Sequence, residues 1–267
     1  MNLRIPGPTP CPPEVRAAGA AEMIDHRGEE FVSLHRRVVS RLQAVFRTRN
    51  EVLLLTASGT GALEAAVVNT LSPGDRVLAV TVGPFGDRFA EIAEAHGAAP
   101  TRLSFEPGLP VDPAAVDRAL AADPSIRAVL LTHNETATGV TNDVQALSRV
   151  VRARGPLLLV DSVSGLAALP LETDDWGLDV VATASQKGWM TPPGLAMVAV
   201  SPRAWEAHAR ARMPRFYFDF GRAREFAAKG QTPWTPAVSV LFALSTALER
   251  IESEGLEAVL ERHRRIG

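Results

Sequence analysis

Apolar residues follow two rhythms along this chain. Between residues 28 and 47 they recur at Phe31, Val32, Leu34, Val38, Val39, Leu42, Val45 and Phe46. That spacing predicts an amphipathic helix. Elsewhere they form short solid runs, at 51–56, 76–82, 126–132, 157–160, 180–183 and 195–200, with a weaker one at 100–105. Strands that are apolar throughout, and not alternating, mark a sheet buried on both faces. Helical stretches separate them, at 62–71, 86–96, 113–122 and 144–153, the second and fourth closed by Gly97 and Gly155. Repeated strand–helix units of this kind predict an α/β fold, a three-layer α/β/α arrangement around a mostly parallel central sheet. The prolines at 6–13 exclude a helix or a central strand and predict an extended arm. The segment from about Val238 to Ile266 is helical and becomes charged toward its end.

Composition narrows the function classes. The chain has 267 residues, 46% hydrophobic and 22% charged, with a formal net charge of −2. That is an ordinary globular balance, and it gives no reason to expect a nucleic-acid partner. No apolar stretch approaches the roughly 20 residues that span a bilayer. The first eight residues lack an apolar signal core. A single cysteine, Cys11, rules out an intrachain disulfide. Together these predict a cytoplasmic protein.

Polar chemistry is concentrated just after the strands. Ser58-Gly59-Thr60-Gly61 joins a strand to a helix start, where free N–H groups and the positive helix end favour an anion. A plain turn capped by Thr60 is the alternative. Phe85 follows the strand ending at Val82, as a flat apolar surface or a core aromatic. His133–Gly139 follows the strand 126–132, lining a crevice or capping a loop. Asp161 ends the strand 157–160, where open α/β sheets bind ligands, although a turn or cap aspartate fits as well. Lys187 follows the strand 180–183 and is one of only two lysines, with Lys229. A lysine there is partly desolvated, which lowers its pKa toward the range where the amine is a nucleophile. Five strand ends offering a phosphate cradle, an aromatic face, a hydroxyl, a carboxylate and a lysine describe a pocket for pyridoxal phosphate. No metal site is expected.

The runs 6–10, 58–65, 83–88, 132–140, 160–163 and 185–188 resemble, in order, those of the class V aminotransferases among fold-type I pyridoxal-phosphate enzymes. The branch most similar comprises the alanine–glyoxylate, serine–pyruvate and serine–glyoxylate aminotransferases. The resemblance implies transfer of an amino group from alanine or serine to glyoxylate or pyruvate. It implies that Lys187 binds the cofactor as an imine and shuttles a proton, and that Asp161 pairs with the pyridine nitrogen. It assigns the phosphate to Ser58, Gly59, Thr60 and Gln186, ring stacking to Phe85, and the opposite ring face to Val163. It gives Thr136 the phenolic oxygen, and places Pro8 and Thr9 near the substrate carboxylate. Thr235 would reach the phosphate of a second subunit, so a homodimer with shared sites is implied.

The family continues into a small C-terminal domain that carries the arginine for the substrate α-carboxylate. The resemblance therefore divides this chain into an arm (1–25), a large cofactor-binding domain (26–250) and the start of a linker helix (251–267), with the small domain missing. Two other readings stay open. One is a desulfurase or related lyase on the same fold. It needs a mobile catalytic cysteine, and the only cysteine, Cys11, lies in the arm. The other is a truncated, non-catalytic cofactor-binding subunit. An intact Lys187 and Asp161 argue against it, since unused buried charges cost stability.

Overall fold

The computed structural model describes residues 3–266, so residues 1–2 and 267, at the two ends of the expected arm and linker helix, lie outside the description. In chain order the elements are α1 (Pro13–Gly19), α2 (Glu29–Phe46), β1 (Glu51–Leu55), α3 (Gly59–Thr70), β2 (Arg76–Thr81), α4 (Pro84–Ala95), β3 (Ala99–Ser104) and α5 (Pro113–Ala122). There follow β4 (Ala128–Thr132), a small hairpin of β5 (Asn134–Glu135) and β6 (Val140–Thr141), α6 (Val144–Arg154), β7 (Leu157–Asp161), β8 (Val180–Ala184) and β9 (Ala196–Val200). Four helices complete the chain: α7 (Pro202–His208), α8 (Phe220–Ala227), α9 (Val238–Glu254) and α10 (Leu256–Ile266).

Seven strands form one sheet in the order β1-β9-β8-β7-β4-β2-β3. From β8 through β3 all neighbours are parallel. β9 runs antiparallel to both β8 and β1. Two reversals restore direction, so β1 runs with β8. The C-terminal ends of β1, β2, β4, β7 and β8 therefore open on the same edge, where α/β sheets hold their ligands.

Successive strand residues enter opposite layers, as the pleat demands. Leu158 and Val160 of β7 join one core with α2, α5, α6 and α9. Leu159 joins the other with α3, α4, α7 and α8. Both faces are covered except at the edge strand β3, which is mostly exposed, and the covered strands read as unbroken apolar runs. The fold is the expected three-layer α/β/α arrangement.

Several boundaries differ from the sequence expectation. The stretch 6–13 is not the extended arm expected: the chain bends through residues 5–8, and a helix begins at Pro13. Pro13 occupies the first turn of α1, where proline's missing N–H does no harm. Val15 of α1 is fully buried against Ala243 and Ala247 of α9. α3 begins three residues before Ala62, at Gly59, and α4 begins two before Gly86, at Pro84. The helical stretch 238–266 is two helices, because Gly255 adopts φ +84 and ends α9.

Candidate active site

Asp161 is the last residue of β7 and is buried, with 5% of its surface exposed. Its Oδ1 accepts the N–H of Val163 at 2.9 Å, a local turn that fixes the carboxylate. Among the described residues it forms no ion pair. Burial is the main cause that pushes its pKa up from 3.8, to about 6. The Val163 N–H opposes the rise, the Glu135 carboxylate adds to it, and Arg88 and Lys187 pull it down. Neither cation is near enough to form an ion pair, so burial prevails.

Lys187 follows β8, the strand next to β7. It is half-buried, and burial lowers its pKa while the Asp161 charge partly restores it. Its Nζ donates to the Pro6 carbonyl at 3.1 Å. The arm is tied to this segment again at Thr9, whose N–H donates to the Gln186 carbonyl at 2.9 Å and whose Oγ1 donates to the Lys187 carbonyl at 2.9 Å. Gly7 lies against the lysine side chain: a Cβ there would meet Nζ at 2.5 Å. Pro8, between Gly7 and Thr9, is exposed.

Ser58 caps α3, its Oγ accepting the Gly61 N–H at 3.4 Å. The first amides of any helix lack intrahelical partners, and the exposed Ser58 and Thr60 add hydroxyls beside them. Gly59 is needed for packing, since a Cβ there would lie 2.7 Å from Val163 Cγ2. Ser58, Gly59, Thr60 and Val163 are thus brought together, across the end of β8.

Phe85 stands in the first turn of α4 with the Arg88 guanidinium 5.0 Å from its ring centroid. Thr136, beyond β5, donates its hydroxyl to Ser164 Oγ at 2.9 Å, and Asn134 Nδ2 donates to the same oxygen at 3.0 Å. His133 Nδ1 and Ser162 Oγ are 2.9 Å apart. Burial lowers the His133 pKa to about 4, so the ring is neutral. Thr235 is the exception: it is exposed, on a segment anchored near β1 by the Ala237 N–H to Thr56 Oγ1 at 3.2 Å. Glu135 is the residue that sequence reasoning did not single out. It is fully buried, and its carboxylate accepts the amides of Phe85 and Gly86. A lone Glu in a loop motif carries no sign of burial, so only the structure reveals it.

These residues suit pyridoxal phosphate. A buried carboxylate without a cation awaits a protonated ring nitrogen. Gln186 Oε1 is buried and has no hydrogen-bond partner among the described residues. The exposed Ser58 and Thr60 at the N-terminus of α3 present hydroxyls beside its first amides, as a phosphate requires. No three His, Cys, Asp or Glu side chains among the described residues are grouped as a metal site requires.

The fold and site define an α/β transferase of the pyridoxal-phosphate type. The crystal structure of an alanine–glyoxylate aminotransferase from Nostoc sp. superposes with a TM-score of 0.94 at 30% identity, over 98% of this chain and 70% of that one. The chain matches the family "Aminotransferase class-V" over residues 13–266 and belongs to it. It is a pyridoxal-phosphate-dependent transaminase. It is 42% identical over 269 residues to an L-aspartate–glyoxylate aminotransferase from Paracoccus denitrificans, covering 98% of this chain and 67% of that protein. It is 48% identical over 268 residues to a protein named soluble hydrogenase, small subunit, from Synechococcus sp., covering 99% of this chain and 70% of that one.

Proposed function

We propose that this transaminase takes the amino group of a small amino acid, alanine or serine, and gives it to glyoxylate or pyruvate. The observation that carries the reading is the placement of the Lys187 amine and the buried Asp161 carboxylate at the ends of neighbouring strands, beneath the Pro6–Thr9 arm. The family relatives that use glyoxylate support the acceptor. The close cover of the arm over Lys187 favours a small donor.

Bound here, pyridoxal phosphate supplies an electron sink that stabilises negative charge at the substrate Cα. Asp161 keeps that sink effective by holding a proton on the ring nitrogen, and the pairing returns its own pKa toward the ordinary range. Lys187 is the nucleophile that attaches the cofactor. Its depressed pKa leaves more of the amine neutral, so that with the cofactor bound Nζ would serve as the base that moves the substrate Cα proton. Ser58, Gly59, Thr60 and Gln186 hold the phosphate, the first three at the positive end of α3. Phe85 and Val163 would pack on the cofactor ring, and Thr136 would offer its hydroxyl to the phenolic oxygen. Pro8 and Thr9 border the substrate carboxylate. In a homodimer, Thr235 of each copy completes the phosphate site of the other. The exposed Phe216, stacked on the half-buried Trp234 with ring centroids 4.9 Å apart, supplies apolar surface for that contact.

The test is amino transfer by the cofactor-loaded protein. Alanine, serine and aspartate are each paired with glyoxylate and with pyruvate, and both products are quantified. Glycine formed from glyoxylate fastest with alanine or serine supports the proposal. Faster transfer from aspartate corrects the donor, and no transfer in any pairing refutes the function.

A further inference from the structure

Glu135 is a carboxylate of the site that the roles above leave unused. It has no exposed surface. An ionised carboxylate so placed is costly unless several donors face it. Three do. Oε2 accepts the N–H of Phe85 at 3.0 Å and of Gly86 at 3.3 Å, and Oε1 accepts the N–H of Ala137 at 3.2 Å. α4 has no side-chain cap of its own at Gly83. Glu135 supplies that cap from another element, at the positive end of the helix. Gly83 leaves the room for it, since a Cβ there would lie 2.7 Å from Glu135 Cγ.

The bridge spans two parts of the site. One oxygen holds the backbone of Phe85. The other holds Ala137, the residue after Thr136. The Arg88 guanidinium lies over the ring, 5.0 Å from its centroid, and the Thr136 hydroxyl donates to Ser164. A cap meant only to stabilise α4 needs a single oxygen and no link to the loop after β5. We propose that Glu135 is a positioning residue that fixes the Phe85 ring relative to the Thr136 hydroxyl, so that both meet the cofactor in one geometry. The inference rests on the stacking role given to Phe85 above.

The experiment is a double-mutant cycle on the cofactor-loaded protein with Glu135→Gln and Phe85→Ala. It reads the cofactor dissociation rate and the circular dichroism of the bound cofactor, which follows ring geometry. The amide of Glu135→Gln has one oxygen, so it cannot accept on both sides of the bridge. Glu135→Gln should speed dissociation by about tenfold, in keeping with loss of a hydrogen bond to a charged acceptor, and should change the dichroic band. In the Phe85→Ala background it should add less than about threefold, because the two residues act together. Gly83→Ala, whose methyl displaces the carboxylate, should act in the same direction and takes the place of Glu135→Gln in the cycle if that variant does not fold. An unchanged band and rate in Glu135→Gln, or a full tenfold addition on Phe85→Ala, overturns the proposal. If Phe85→Ala alone changes neither readout, the stacking role is wrong and the proposal falls with it. If Phe85→Ala has its effect and Glu135→Gln has none, only the Glu135 proposal falls.

Discussion

Replacing Asp161 by Asn should stabilise the cofactor-free protein at neutral pH while weakening its hold on the cofactor. The physical cause is the burial that lifts the Asp161 pKa from 3.8 to about 6. A carboxyl whose folded pKa is raised favours the folded state fully only below its unfolded pKa, and that contribution is lost as pH climbs through the folded value. The interval is roughly two pH units at about 1.4 kcal/mol each, so ionising Asp161 costs about 3 kcal/mol by pH 8. Asn keeps an oxygen for the Val163 N–H and carries no charge. The assay is urea denaturation of the two cofactor-free proteins at steps from pH 4 to pH 8. The variant should gain on the native protein as pH rises, by about 3 kcal/mol across the range. His35 and His133, whose pKa values burial lowers to about 4, impose the opposite slope, with stability lost as pH falls from 6.5. They are common to both proteins and drop out of the difference. A difference independent of pH, or one that shrinks as pH rises, would refute the reasoning.

Lys187→Ala should retain no cofactor after borohydride reduction and denaturation, as read by mass spectrometry, whereas the native protein keeps it covalently; covalent retention at another residue would overturn the assignment. Gly59→Ala places a methyl 2.7 Å from Val163 Cγ2 and should lower stability by about 1–3 kcal/mol through overpacking, with weaker cofactor retention on dialysis. No change in either would show that this approach is not constrained. Thr9→Val removes the hydroxyl donor to the Lys187 carbonyl at near-constant shape. It should raise protease sensitivity within the arm and leave the unfolding midpoint of the sheet domain almost unmoved. An unchanged cleavage pattern would count against the arm's dependence on Thr9.

The sheet was legible because both of its faces are covered, which makes each of β1, β2, β4, β7, β8 and β9 a solid apolar run. The candidate site suggested itself for a related reason: each parallel run ends abruptly in polar residues, and the parallel order brings those ends to one edge. What escaped lies where local signals conflict with their context. Gly59 and Pro84 look like helix breakers, yet they occupy first turns, where poor propensity matters little. α1, α7 and α8 have only seven or eight residues each, too few for a period to show. The antiparallel sense of β9 does have a signal. No helix lies between Ala184 and Ala196, and a parallel return needs a crossover of a dozen residues or more, usually helical. Glu135 left no such trace, because its burial depends on backbone amides of an element fifty residues earlier.

The contacts of the arm also set an order of events during synthesis. Pro6 and Thr9 find their partners at Lys187 and Gln186, up to 181 residues further along the chain. At ribosomal speeds of about 5–20 residues per second, those partners emerge roughly 10–40 s after the arm does. Closing so long a loop is entropically unfavourable until the sheet has already folded between its ends. The lysine is thus covered late, once β7 and β8 stand side by side. The nascent site passes through a stage in which the amine and its neighbouring carboxylate are in place and still open from above, the stage at which a cofactor molecule has the freest entry.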